Sequence, residues 1–310
     1  MNDRDINSLL QAAKGGDIRA LARCISVVEN ELPGHTQLLE SLPARNKSTF
    51  VTGITGPPGA GKSTLVNSIS KAILEKNPSS RVAVLAVDPT SPFTHGSILG
   101  DRLRMTDHFN DPRVYIRSVA TRGALGGLSV KTPQITDILL ATGFDHILIE
   151  TVGVGQSELE IAALADTTIV VFVPESGDDI QTIKSGIMEI ADIFVVNKSD
   201  REGADRLARS ITATLHERPQ SSWQPPVVMT AASIGKGITE LLDKVTEHHS
   251  GGQLHPHKQD LLLHKASLLL EQQLLRKVNV ADFEKQLKNA STSEGFNIYQ
   301  FVRLYIDKQF

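Results

Sequence analysis

The sequence predicts an α/β protein: a P-loop NTPase with a mainly parallel, doubly wound sheet and helical extensions at both ends. Three observations lead there. Short β-branched runs alternate with amphipathic stretches through the middle of the chain, the pattern of a parallel sheet covered on both faces. The first of those runs, Phe50–Thr55, leads straight into Gly56-Pro-Pro-Gly-Ala-Gly-Lys-Ser63 and then into helical spacing. Residues 1–45 and 250–310 carry helical periodicity and no strand pattern.

The elements follow in order. Ile6, Leu9, Leu10 and Ala13, then Ile18, Leu21, Ala22 and Ile25, recur at helical spacing, with Gly15-Gly16-Asp17 as break and cap. Thr36–Leu42 reads as a further short helix. The predicted strands are Phe50–Thr55, Arg81–Val87, Val114–Val119, His146–Ile149, Thr168–Val173, Ile193–Val196 and Val227–Met229. Helical stretches fall between most of them: Ser63–Leu74, Pro133–Thr142, Ile180–Ile190 and Ala204–His216. From Ser250 a linker leads into the leucine-rich stretch Asp260–Val280, and a last helix follows Ser293. This divides the chain into a helical extension (1–45), a central α/β domain that carries the glycine loop (46–249) and a carboxyl-terminal helical extension (250–310) that can serve as a dimerisation arm.

Composition narrows the partners. A net charge of −3 over 310 residues, without a basic stripe interleaved with aromatics, argues against nucleic acid. The single cysteine, Cys24, excludes an internal disulfide and any Cys-based zinc site. No apolar run is long enough for a membrane span, and the acidic start does not read as a signal or transit segment. The expectation is a cytoplasmic protein with no membrane partner.

A strand, a glycine loop and a helix amino terminus together present backbone N–H groups and a helix dipole to an anion. Gly56, Pro57, Pro58, Gly59, Ala60, Gly61, Lys62, Ser63 and Thr64 are therefore expected to hold a nucleoside triphosphate. The glycines let the backbone approach phosphate oxygens. Lys62 supplies a point charge for the β- and γ-phosphates, and Ser63 a hydroxyl for Mg²⁺. A glycine-rich turn that merely caps a helix is the plainer alternative.

Asn197-Lys198-Ser199-Asp200, at the end of the strand Ile193–Val196, fits the NKxD pattern of G proteins. The Asp200 carboxylate can accept from both guanine N1–H and the N2 amino group, a match adenine cannot offer. Asn197 can bond guanine N7 or stabilise the loop, and the Lys198 stem can lie along base and ribose. Ala231, Ala232 and Ser233 follow the last strand, where G proteins carry Ser-Ala-x. The serine position is Ala231 here, and the Ala232 amide remains able to read guanine O6.

On the hydrolysis side, Asp88 and Glu150 end strands and Asp101 lies in a loop, so all three are candidates to orient Mg²⁺ beside Ser63. Helix caps or surface ion pairs are the ordinary roles for such acids. Gly153 can donate its N–H to the γ-phosphate. Gln156 reads as a switch residue, and Lys184 can neutralise developing charge. The group that aligns the attacking water stays open.

Gly53–Thr64, Val87-Asp-Pro-Thr-Ser, Gly96–Met105, Thr121–Leu128, Glu150–Glu158 and Gly186–Asp192 together resemble the MeaB/ArgK family of P-loop GTPases, over most of residues 1–249. The resemblance implies a homodimeric GTPase that chaperones an adenosylcobalamin-dependent acyl-CoA mutase, typically methylmalonyl-CoA mutase. GTP hydrolysis there gates cobalamin delivery and protects the mutase. By position in the motifs it implies Asp88, Asp101 and Glu150 as the Mg²⁺ and switch acids. It implies Pro174–Gln181 as a switch that reports to the mutase, with Lys62, Glu150, Asp101 and Lys184 the catalytic set. The tail departs from the family: it ends Tyr305-Ile-Asp-Lys-Gln-Phe310 instead of an acidic Pro-Tyr stretch and a short helix. Two other readings compete. A nickel-inserting GTPase would use clustered histidines, but His248, His249, His255, His257 and His264 read as part of a solvated linker. A kinase or ATPase of basic amino-acid transport, a label once attached to the family, would need an acceptor site and a base that the sequence does not offer.

Overall fold

A computed structural model describes residues 3–45, 48–88, 111–120, 131–151, 161–162, 164–175, 187–217 and 223–251, and, in the carboxyl-terminal part, 263, 266–267, 270, 274, 277–292 and 296–309. Seven strands form one sheet: β1 (Phe50–Thr55), β2 (Val82–Asp88), β3 (Val114–Ala120), β4 (His146–Glu150), β5 (Thr167–Phe172), β6 (Ile193–Val196) and β7 (Val227–Met229). Their order is β3-β2-β4-β1-β5-β6-β7, and every pairing is parallel. β1 is central, with β4 on one side (Ile54 beside Glu150) and β5 on the other (Thr55 beside Val170). The chain fills one side of β1 with β2, β3 and β4 and the other with β5, β6 and β7. Loops at the carboxyl ends therefore part at β1, where open α/β sheets take their ligands.

The strands are apolar on both faces because helices cover both. On one face Ala83, Leu85, Val87, Ile147 and Ile149 pack against α1 (Asp3–Lys14), α2 (Ile18–Glu29), α3 (His35–Glu40) and α5 (Thr132–Ala141). On the other, Ile54, Val84, Leu148, Ile169 and Val171 pack against α4 (Lys62–Lys76) and α8 (Ile238–Ser250). Past β5 the first face is closed by Phe172, Phe194 and Val196 against α6 (Ile187–Ile190) and α7 (Ala204–His216). The amino-terminal helices thus share a core with the sheet. Ile6, Leu10, Leu21, Ile25 and Leu38 are all buried, and each contributes about 1.5–3 kcal/mol relative to exposure. Asp17 caps α2 by accepting from the amides of Arg19 (2.8 Å) and Ala20 (3.1 Å), which fixes where that helix begins.

Cys24 sits fully buried on α2, and burial pushes its thiol up to about 11. The native protein is expected to resist iodoacetamide at mildly alkaline pH and to react once unfolded. Fast native labelling, read by intact mass, would contradict this packing.

The chain divides into two compact units, Met1–His255 and Pro256–Phe310. In the second, α9 (Val280–Ala290) and α10 (Ile298–Gln309) are joined by ring contacts of Phe283 with Phe301 and Tyr305. α9 was not foreseen, and most of Asp260–Val280 lies outside the described residues.

One expectation needs correcting. His248 and His249 do not belong to a linker but to the last turns of α8. His248 is buried, its Nδ1 is 2.9 Å from Thr167 Oγ1, and its Nε2 is 3.3 Å from Asp192 Oδ1. His249 packs its ring against Phe50 at a tilt, with the centroids 3.8 Å apart. The cause is legible in retrospect: Ile238, Leu241, Leu242, Val245 and His248 keep one helical face turned to the core.

Candidate functional site

The loop between β1 and α4 is shaped by positions where a side chain does not fit. Gly56 has φ +139°, and a Cβ there would stand 2.2 Å from the Val171 carbonyl oxygen on β5. Gly61, at φ +83°, caps α4, and its Cβ would stand 2.5 Å from Asn197 Nδ2. The loop therefore lies against β5 and the end of β6, with the amino terminus of α4 opening into it.

Lys62 and Ser63 begin that helix, and both side chains are buried. Lys62 Nζ donates to the carbonyls of Gly56 (2.8 Å) and Pro57 (3.0 Å), so the ammonium is held over the loop by oxygens of the loop itself. Ser63 Oγ donates to Glu150 Oε1 at 2.6 Å, and Glu150 is buried at the end of β4. The next residue, Thr151, donates through Oγ1 to Thr55 Oγ1 at 2.9 Å. Hydroxyl-to-hydroxyl and hydroxyl-to-carboxylate bonds thus fix the end of β4 against both ends of the loop. Thr64 is exposed.

Asn197, buried at the end of β6, ties three segments together. Its Nδ2 donates to the Ala60 carbonyl (2.9 Å), and its Oδ1 accepts from Thr230 Oγ1 (3.1 Å) and from the Ala232 amide (3.2 Å). Of the two roles the sequence allowed this residue, the geometry realises the loop-stabilising one. The Ala232 N–H that was expected to face guanine O6 is engaged by Asn197 in this arrangement. Lys198 takes a left-handed backbone (φ +56°), unusual for a residue with a side chain. The Ser199 amide donates to the Thr230 carbonyl at 2.9 Å, and Asp200 beyond it is exposed. Ala231 and Ala232 are buried, and Ser233 is exposed. Asn197–Asp200 and Thr230–Ser233 therefore adjoin the loop of β1, separated from it in sequence but held to it by one side chain.

Asp101, Gly153, Gln156, Lys184 and most of Pro174–Gln181 lie outside the described residues. So does the side chain of Asp88, whose backbone closes β2. The donors that can be located for a metal, the Ser63 hydroxyl and the Glu150 carboxylate, are both hard oxygens, the chemistry that Mg²⁺ selects. No group of three or more His, Cys, Asp or Glu gathers as a metal site among the described residues. No described helix is long and apolar enough to cross a membrane. The sequence reading missed the Thr55–Thr151 pair, although Thr151 directly follows Glu150. It also gave no sign that Asn197 would reach Ala60.

A family model described as methylmalonyl Co-A mutase-associated GTPase MeaB matches residues 21–282. A GTPase-named protein of Pyrococcus abyssi is 49% identical over 247 residues, covering 78% of this chain and 76% of that protein. GTPase ArgK of Escherichia coli K12 is 37% identical over 250 residues (78% and 75%). The mouse methylmalonic aciduria type A homolog, mitochondrial, is 37% identical over 263 residues (79% and 63%). Among solved structures, that of a LAO/AO transport system kinase superposes with a TM-score of 0.69 at 26% identity, over 99% of this chain and 98% of that one. With the P-loop on β1, the parallel sheet and these relatives in agreement, the chain belongs to the MeaB family of P-loop GTPases.

Proposed function

We propose that the protein binds GTP across the loops of β1, β6 and β7, hydrolyses it to GDP and phosphate, and uses the cycle to chaperone an adenosylcobalamin-dependent acyl-CoA mutase. The observation that carries the nucleotide site is Asn197: one buried side chain holds the phosphate loop through Ala60 and the base loop through Ala232. Residues 56–64, Gly153, Asn197, Lys198, Asp200 and 231–233 are the proposed contacts. Asp200 selects guanine from its exposed place beside the loop.

Hydrolysis moves one bond. Water attacks the γ-phosphorus as the bond from that phosphorus to the β–γ bridging oxygen breaks; GDP leaves with that bond's electron pair, and the water's protons pass to the released phosphate and the solvent. Lys62 supplies positive charge to the phosphate oxygens, for which it must exchange the carbonyls of Gly56 and Pro57. Ser63 and Glu150 would hold Mg²⁺, with Asp88 and Asp101 completing its acids. The ion, when bound, neutralises charge on the β- and γ-phosphate oxygens. Lys184 is the proposed second cation. The attack needs water aligned by a group beyond these, so intrinsic turnover is expected to be slow until a partner completes the site.

The mutase rests on the family, whose description names methylmalonyl Co-A mutase. Cofactor gating belongs to the same reading, as do a cytoplasmic location and the three-part division at residues 45 and 249. A homodimer through residues 250–310 is supported by α10, which exposes Tyr299, Leu304 and Ile306. Purified protein mixed with a candidate cobalamin mutase is expected to co-elute with it and to hydrolyse GTP faster than alone. Neither complex nor stimulation across a panel of such mutases would remove the chaperone role and leave the GTPase standing.

A further inference from the structure

Two serines on α4 use their hydroxyls differently. Ser70 Oγ donates to the Val66 carbonyl four residues back in its own helix (2.8 Å), the usual local outlet for a helical serine. Ser68 Oγ instead leaves the helix and donates to the Ala232 carbonyl in the loop after β7, at 2.7 Å. The amide of the same residue is held from the opposite side by Asn197 Oδ1. Ala232 is thus gripped at both its N–H and its C=O by side chains of two different elements. Around it the loop closes on itself through paired bonds between Ala231 and Lys236 (3.0 and 3.3 Å), and at Gly237 a Cβ would stand 2.2 Å from the Met229 carbonyl oxygen.

From this we infer that Ser68 is a positioning residue for guanine recognition: a hydroxyl supplied by the phosphate-binding helix sets the backbone of the base loop. The chain lacks a serine at Ala231, within the loop itself, so the only side-chain oxygens fixing Ala232 among the described residues come from Ser68 and Asn197. Because Ser68 sits on the helix that Lys62 and Ser63 begin, it also makes the base loop follow that helix. The inference rests on the proposed guanine site. It adds that base selectivity depends on a residue that touches no part of the nucleotide.

The test is GDP and ADP affinity in the full-length protein, together with the rate of GDP release, for wild type and the variants Ser68→Ala, Ser68→Thr and Ser70→Ala. Removing one hydrogen bond of this kind is expected to weaken GDP about three- to tenfold. ADP should be unmoved, so the guanine-over-adenine ratio narrows by the same factor. GDP release should quicken and KM for GTP rise, while single-turnover hydrolysis at saturating GTP stays the same. Ser68→Thr, which keeps the hydroxyl, should restore the ratio. Ser70→Ala, which removes a hydroxyl bonded to the Val66 carbonyl within α4, should keep it. Equal losses for GDP and ADP in Ser68→Ala, or an unchanged ratio, would overturn the inference and reduce Ser68 to a structural contact. A wild type without preference for GDP would defeat the guanine reading itself, and the inference with it. Should Ser68→Ala unfold on heating well before wild type, Ser68→Thr and the ratio measured well below that transition decide the matter.

Discussion

Lys62→Ala is expected to lower single-turnover GTP hydrolysis by about a hundred- to a thousandfold, the scale of losing one preorganised charge or donor at a developing oxyanion. The fold should survive. In this structure the ammonium is buried and satisfied by two carbonyls of its own loop. Its removal therefore takes a costly buried charge out together with the bonds that offset it, and the carbonyls left behind border a loop built to open toward a ligand. Circular dichroism and thermal unfolding should stay near wild type while the rate collapses. Unchanged turnover would take Lys62 out of the site. A collapsed fold would show that its bonds to Gly56 and Pro57 matter more for stability than the geometry implies.

Asp200→Asn is the second large effect. The carboxylate accepts two donors from guanine, and hydrogen bonds to a charged group contribute about 1.5–3 kcal/mol each. The amide can accept from one donor at most, and it sets an N–H against the guanine N2 amino group. GTP affinity is expected to fall at least about a hundredfold. Xanthosine triphosphate, which presents an oxygen where guanine carries its amino group, should gain. The exposure of Asp200 makes misfolding a poor explanation for such a change. Titration of both nucleotides against both proteins decides it. Parallel losses for the two bases, or no change for either, would mean that the base is read elsewhere.

Much of this was legible in the sequence because strands buried on both faces write themselves as continuous apolar runs. All seven predicted strands exist, and their observed limits fall within a residue of the reading. Ala204–His216 was recovered with the limits of the helix itself, between Gly203 and a surface turn. What stayed hidden has two physical causes. Strand order is a matter of which surfaces meet after crossover, and no local pattern records that β1 lies between β4 and β5. Single side chains that bridge distant segments are equally silent. Ser68 is one more small polar residue in a helix, and Asn197 looks the same whether it meets a base or the Ala60 carbonyl. The helix Ile238–Ser250 was missed for a different reason: its paired histidines were read by composition as linker, when their spacing continued a core-facing stripe.

The neighbours of Gly56 carry a consequence for biogenesis. Its backbone lies so close to Val171 that the phosphate loop has no seat until β5 exists, and Asn197 and Ala232 belong to chain made later still. A growing polypeptide on the ribosome therefore translates its phosphate-binding motif early and can use it only after most of the sheet has been synthesised. Cellular GTP cannot rescue the half-made chain, since a ligand stabilises only the form that binds it. Until then the emerging strands depend on one another, or on general folding helpers, for protection against aggregation.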